Sequence, residues 1–349
     1  MISIVISLGG FGELLRRKVD GKLLFEFARK ENLQRLISEG MWGRLYLGTL
    51  PEKGYFNFWH GQADLFPGES YLRCLSRDIP VRSTSSLFLG KFITQDRGIV
   101  TNPHLSLSSQ ESELLFRFIC EESGVAFTWH CQENEAIISL SGFFPRVEFP
   151  PPGSLAGQRY APFLPQGRVY SPLVEIINFS ATSLECHPVN LVRKDLQEPL
   201  ANLLWLWGMG REKQSICWPE NVFACFSSQS ERFGGLALFL GFEPRREVSF
   251  GRKSGSLWWI DYTLVPEQNP AAWVKCLEFL DAEMLGPLLR AVQSENWKLL
   301  VIFDSFLRTD EPLVDPWGIF LAVTSQGRPQ LRRYYSRSHD LLRKFLAFS

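Results

Sequence analysis

The chain opens on a β-branched run, Ile2-Ser3-Ile4-Val5-Ile6-Ser7, the pattern of a strand buried on both faces. Gly9-Gly10-Phe11-Gly12 follows and predicts a tight strand exit, with a phosphate cradle of backbone amides as the alternative. Leu23, Leu24, Phe27, Ala28, Leu33, Leu36 and Ile37 recur at helical spacing, which predicts a helix over 22–39 capped by Gly40. A strand near 43–48 then completes a βαβ opening and implies a parallel sheet.

The middle of the chain has another texture. Ser86 to Thr94 alternates as a strand, Gln95-Asp96-Arg97-Gly98 reads as a hairpin turn, and Ile99-Val100-Thr101 returns. Ser108 and Glu111 form a capping box for a helix to about Glu122. Residues 125–130 and 136–141 flank a polar turn and predict a second hairpin. Pro150-Pro151-Pro152-Gly153 reads as a rigid exit linker. From about 168 the α/β rhythm resumes: a helix over 170–185 and a strand at 203–207, then a strand near 221–225 and a helix over 229–240. A strand at 257–264, a helix over 271–294, strands at 298–303 and 316–323 and a basic closing helix complete it. The expected fold is α/β, a mostly parallel sheet flanked by helices, with a core domain of 1–66 and 168–349. An α+β cap domain is expected as an insertion at 67–167.

Composition narrows the function classes. Hydrophobic residues make up 45 % of 349, enough for a full core. Lys+Arg and Asp+Glu are both 37, so no basic excess argues for nucleic acid or an anionic membrane surface. Seven cysteines with no CxxC pair argue against a disulfide framework and for a reducing, cytoplasmic setting. The start has no positive n-region and reads as a core strand, not a signal peptide. No apolar run approaches the roughly 20 residues of a membrane span.

His187-Pro188-Val189-Asn190, Pro199-Leu200-Ala201-Asn202 and Trp205-Leu206-Trp207-Gly208-Met209-Gly210 stand in order. With Asn32 to Leu36, Glu39-Gly40, Gly286-Pro287-Leu288-Leu289 and Asp315-Pro316, they resemble the archaeal-type cofactor-independent phosphoglycerate mutases of the alkaline phosphatase superfamily. The resemblance implies an alkaline-phosphatase-like core carrying two divalent metals and a Ser or Thr nucleophile. It also implies where those groups belong, and this chain departs at most of them. Gly9 stands at the first acidic ligand, and Tyr55 after Gly54 at the nucleophile position. Pro266-Glu267-Gln268-Asn269-Pro270 lacks the expected His. Asp304 remains, but Ser305 replaces the His after it, and 308–312 offers no His either. Glu135 stands where the family places an arginine over the phosphate.

The expectation is therefore a phosphoglycerate-mutase-like protein without catalysis, a binding or assembly protein that pairs with itself or with an active paralogue, with no cofactor. The first alternative is an active phosphoglycerate mutase or related phosphotransferase, with Mn or Zn held by Glu13, Asp261, Glu267, Asp304 and Asp310. The second is a sensor of a small phosphorylated metabolite. Ligand-binding candidates are His187, Asn190, Arg193, Asn202 and Arg308. For His187 and Asn190 the competing reading is a polar structural latch.

Overall fold

A computed structural model describes residues 2–10, 18–48, 51–132, 134–218, 222–228, 231–245, 256–263, 270–295, 297–304, 317–325 and 329–347. In chain order the strands are β1 Ile2–Gly9, β2 Lys18–Val19, β3 Lys22–Leu23, β4 Met41–Tyr46, β5 Ser85–Asp96, β6 Ile99–Asn102, β7 Phe127–Gln132 and β8 Glu135–Ser141. They continue as β9 Leu203–Gly210, β10 Phe223–Ser228, β11 Glu243–Pro244, β12 Ser256–Thr263, β13 Trp297–Phe303, β14 Trp317–Thr324 and β15 Tyr334–Tyr335. The helices are α1 Leu24–Phe27, α2 Glu31–Glu39, α3 Pro51–His60, α4 Glu69–Ser76, α5 Ser109–Glu122 and α6 Ser171–Ser183. After them come α7 Pro188–Asp195, α8 Glu231–Phe239, α9 Pro270–Phe279, α10 Gly286–Ser294 and α11 Ser338–Ala347.

The chain divides into two compact units, one from the segments flanking Pro67–Lys213 and one from Pro67–Lys213 itself. The first unit is built on a sheet of order β11-β10-β12-β1-β13-β14-β4-β15. Strands β10, β12, β1 and β13 run parallel, while β14 runs antiparallel to both β13 and β4. The central strands are apolar on consecutive residues because helices cover both faces. On one face Ile4, Ile6, Leu8, Trp258, Ile260, Leu299 and Val301 pack with Leu33 and Leu36 of α2, Trp273 and Leu277 of α9 and Leu288 and Val292 of α10. Side chains alternate along a strand, so Val5, Ser7, Trp259, Asp261, Leu300 and Ile302 belong to the other face.

Two helix expectations need correction. The helix predicted over 22–39 breaks at Ala28, whose backbone is extended, and restarts as α2. The helix predicted over 271–294 carries a π-helical turn at Leu280–Leu285 between α9 and α10. One residue links both interruptions. Buried Asp281, within the π turn, accepts hydrogen bonds from the Leu33 amide at 2.6 Å and the Asn32 amide at 3.1 Å. Asn32 Nδ2 donates to the Asp281 backbone oxygen at 2.9 Å. The carboxylate thus satisfies amides that a helix start leaves open, and the chain begins α2 there instead of continuing α1. The two family-like segments around Asn32 and Gly286 meet at this latch. A Cβ on Gly286 would lie 3.0 Å from Asn32 Nδ2.

The second unit contains an antiparallel sheet in which long β5 pairs with β8, with β9 and, at its far end, with β6, while β7 pairs with β8. The capping box is formed as predicted: the Glu111 amide donates to Ser108 Oγ at 3.2 Å and the Ser108 amide to Glu111 Oε2 at 2.8 Å. The boundary expected at 167 is corrected, because α6, α7 and β9 belong to this unit. β9 is antiparallel to β5 from Ile93↔Leu203 to Leu87↔Gly210. Its apolar run Leu203 to Trp207 looks like a core parallel strand in sequence, yet it is buried in the second sheet. The Pro-rich stretch is likewise no exit linker: Trp205 Nε1 donates to the Pro150 oxygen at 2.9 Å, and Leu155 just after it is buried.

Candidate functional site

The C-terminal ends of parallel strands are where α/β sheets bind ligands, and two buried acids sit there in the first unit. Asp261 lies on β12 opposite Ser7 of β1 and next to Ser228 of β10 in register. Ser7 Oγ donates to Asp261 Oδ1 at 2.7 Å, and Ser228 Oγ donates to Asp261 Oδ2 at 2.7 Å. Trp259 Nε1 donates to Ser7 Oγ at 3.1 Å. The carboxylate is thus held by two hydroxyls, one of them fixed by an indole.

Asp304 follows the last residue of β13, and its amide donates to the Leu8 oxygen at 3.0 Å. Its Oδ2 accepts a hydrogen bond from the Tyr55 hydroxyl. Tyr55 is fully buried on α3. Its ring stacks on Trp259, with centroids 5.8 Å apart and an interplanar angle of 25°. It meets Phe233 of α8 edge-on at 5.3 Å and Phe58 at 6.3 Å. Gly54 permits this seating: a Cβ there would lie 2.1 Å from the Leu47 backbone oxygen. Gly54 and Tyr55 both lie inside α3. An aromatic hydroxyl buried in a packed cluster is poorly placed to attack phosphorus, because attack needs an exposed, base-activated oxygen.

A centre of two divalent metals, as the resemblance implies, would draw its ligands from these strand ends. Asp261 and Asp304 belong to strands on opposite sides of β1, so their backbones are roughly 10 Å apart at the usual strand spacing, and each carboxylate is engaged by hydroxyl donors. Among the described residues no group of three His, Cys, Asp or Glu side chains could hold a metal ion. The described donors do not fit a two-metal centre. Gly9 pairs with Thr263 at the end of β1, and Gly10 turns out with φ of 80°, as a tight strand exit requires. Glu13, Glu267, Ser305, Arg308 and Asp310 lie outside the described residues.

The remaining sequence candidates all belong to the second unit, where backbone partners occupy them. His187 is the N-cap of α7, its Nδ1 accepting from the Val189 amide at 3.3 Å. Asn190 Nδ2 donates to the oxygens of Leu184 at 2.7 Å and Ala201 at 3.0 Å, and its Oδ1 accepts from the Ala201 amide at 2.7 Å. Asn202 makes a two-way pair with the Gln95 backbone at 2.8 and 2.9 Å. Arg193 lines an open depression of about 620 Å³ with His104, Glu111 and Glu198. Its guanidinium is engaged by the Pro199 oxygen at 2.8 Å, Glu111 at 2.7 Å and Glu198 at 3.2 Å. These residues hold the chain from 184 to 202 against its neighbours, so the latch describes their geometry. Glu135 pairs with Arg73 at 3.5 Å and Arg77 at 3.9 Å inside the same unit.

Burial lowers the His187 pKa below its ordinary value of 6.5. Between that lowered value and 6.5 the unfolded chain binds more protons than the folded one, so stability rises with pH across the window and falls on acidification. A protonated ring also cannot accept the Val189 amide. An NMR titration is expected to place His187 below 6.5, and His187→Asn, which keeps a cap acceptor, is expected to remove this contribution to the melting temperature's pH slope. A His187 pKa at or above 6.5 contradicts this.

In the sequence Asp261 stands out only as one of the acids that would hold Mn or Zn in an active mutase. Its signal was an acid inside the apolar run Leu257-Trp258-Trp259-Ile260, with serines at matching depth in β1 and β10. The Tyr55–Asp304 bond, between residues 249 apart, had no local signal.

The fold is α/β, a mostly parallel, helix-flanked sheet with buried acids toward its strand ends and a second compact unit inserted after α3. No protein-family model matches the chain. A 2,3-bisphosphoglycerate-independent phosphoglycerate mutase of Methanosarcina mazei is 26 % identical over 152 residues, 42 % of this chain and 38 % of that protein. That of Methanosarcina barkeri is 26 % identical over 52 % of this chain and 45 % of its own length, so each match spans less than half of the relative. The second such mutase of Methanothermobacter thermautotrophicus is 22 % identical over 96 % of this chain and 92 % of its own. Among solved structures, the PH0037 protein of Pyrococcus horikoshii superposes with a TM-score of 0.66 at 14 % identity, covering 99 % of this chain and 96 % of that one. The cofactor-independent phosphoglycerate mutase of Thermoplasma acidophilum gives 0.56 at 14 %, covering 99 % and 98 %. The chain is thus similar in sequence to 2,3-bisphosphoglycerate-independent phosphoglycerate mutases, at 22–27 % identity, and shares the fold of a solved cofactor-independent one.

Proposed function

We propose that this chain is a non-catalytic relative of the phosphoglycerate mutases that acts as a binding or assembly protein, with itself or an active paralogue as partner. The observation that carries the reading is the Tyr55 plug: a fully buried ring at the position the resemblance assigns to the nucleophile, hydrogen-bonded to Asp304, the one acid that matches a family ligand. Asp261, the other strand-end acid, is held by Ser7 and Ser228. Phosphoryl transfer draws most of its rate from charge neutralisation at the phosphate and an activated nucleophile. Hydroxyl-bound carboxylates beside a packed aromatic supply neither.

Calorimetric titration of the full chain with Mn²⁺ and with Zn²⁺ tests the proposal. The expected result is no stoichiometric binding at micromolar metal, with 3-phosphoglycerate present or left out. Tight binding of about two ions per chain, as a two-metal enzyme requires, would favour the active mutase with acids such as Glu13, Glu267 and Asp310 as ligands. A rise in melting temperature with a phosphorylated metabolite and no metal would favour the sensor, since a ligand well above its Kd stabilises the fold.

A further inference from the structure

The sheet of the first unit carries an exposed aromatic and cationic surface that neither the strand-end site nor the family resemblance uses. Trp42, Arg44 and Tyr46 alternate on β4, and all three are exposed. Register places Tyr46 opposite Trp317 and Arg44 opposite Ile319 on β14, with Tyr334 of β15 beside Arg44. Ile319 is level with Phe303 and so lies on the sheet face opposite Ile302 and Asp304. Trp42 is 47 % exposed, Tyr46 40 % and Tyr334 58 %, a large apolar area for one patch.

The rings are ordered by mutual contact. Tyr46 meets Trp317 edge-on at 5.1 Å, and Trp317 meets Tyr334 at 5.1 Å. The Arg44 guanidinium lies over the Trp317 ring at 5.6 Å and that of Arg333 over Trp42 at 5.5 Å. Among the described residues neither arginine has a carboxylate within ion-pair distance. Exposed Arg332 and Arg337 add further positive charge from the same stretch of chain. Stacking pre-orients a guanidinium while leaving its in-plane N–H donors free, the arrangement that binds a carboxylate in two-pronged fashion. Trp, Tyr and Arg are also the residues on which binding energy concentrates.

We infer that this face docks an acidic polypeptide segment, its carboxylates on Arg44 and Arg333 and its apolar side chains on Trp42, Trp317 and Tyr334. Charge complementarity selects the partner: among the described residues the patch's own charges, Arg44 and Arg333, are positive and lack an ion-pair partner. Lys+Arg equal Asp+Glu at 37 each over the whole chain, which does not favour a polyanion such as nucleic acid. The inference is independent of whether the strand-end site turns over substrate.

The test is fluorescence anisotropy of the full chain with a short fluorescein-labelled peptide alternating glutamate and leucine, beside a lysine–leucine peptide and a labelled oligothymidylate. The acidic peptide is expected to bind, more weakly as salt rises, and to lose at least about tenfold in affinity in the Arg44→Glu, Arg333→Glu double variant. If that variant's melting temperature drops, Arg44→Gln with Arg333→Gln is read in its place and is expected to weaken binding in the same direction. No binding of the acidic peptide, equal binding of the lysine peptide, binding of oligothymidylate in its stead, or unchanged affinity in a folded double variant would each overturn the inference.

Discussion

Replacing Tyr55 with serine is expected to destabilise the chain by about 3–5 kcal/mol and to create no phosphotransfer activity. The ring is fully buried against Trp259, Phe233 and Phe58, so truncation leaves a cavity that packed aromatics fill poorly. It also takes away the hydroxyl that donates to buried Asp304. Tyr55→Phe separates the two effects. It keeps the packing and removes only the donor, with an expected cost of about 1–3 kcal/mol for leaving a buried acceptor less satisfied. Urea denaturation of both variants measures this. A serine variant as stable as the parent, or one that acquires mutase activity with Mn²⁺, would show that Tyr55 obstructs a working site instead of completing a core.

The second large effect belongs to Asp281. Asp281→Ala is expected to cost about 2–4 kcal/mol, because hydrogen bonds to a buried charged acceptor are worth more than neutral ones and two backbone donors lose their partner together. Those donors are the Leu33 and Asn32 amides, while Asn32 Nδ2, 3.2 Å from Asp281 Oδ2, keeps its bond to the Asp281 backbone oxygen. Asp281→Asn keeps one oxygen and is expected to lose less. Hydrogen exchange localises the effect: amide protection along α2 should fall well before that of β1 and β13. A stability change below about 0.5 kcal/mol, the range of ordinary surface substitutions, would mean the π turn does not hold α2.

The strands were legible wherever burial left a period-two or continuous apolar signal. β1, β12 and β13 lie within a few residues of their expected limits because a parallel strand covered on both faces must be apolar throughout. The capping box at Ser108 and the hairpin of β5 and β6 were legible because their chemistry is local. What was not legible depended on partners far along the chain. The break at Ala28 is set by Asp281 from about 250 residues away, and helical periodicity carries no trace of it. β9 was placed in the wrong unit because an apolar strand does not state which sheet it joins. At the site, the resemblance identified Asp304 as a retained ligand position and Tyr55, separately, as a departure from the family pattern. Their meeting, and the Ser7–Asp261–Ser228 set beside it, needed the register of four strands.

The central claim is that the strand ends are packed core and not a phosphotransfer centre, and a phosphoglycerate mutase assay of the purified full chain with added Mn²⁺ tests it most directly. The account predicts no conversion of 3-phosphoglycerate above the rate of an Asp304→Asn control. Turnover on the order of 1 per second or faster, within the usual enzyme range, and lost in that control, would contradict it and make Asp304 a working ligand.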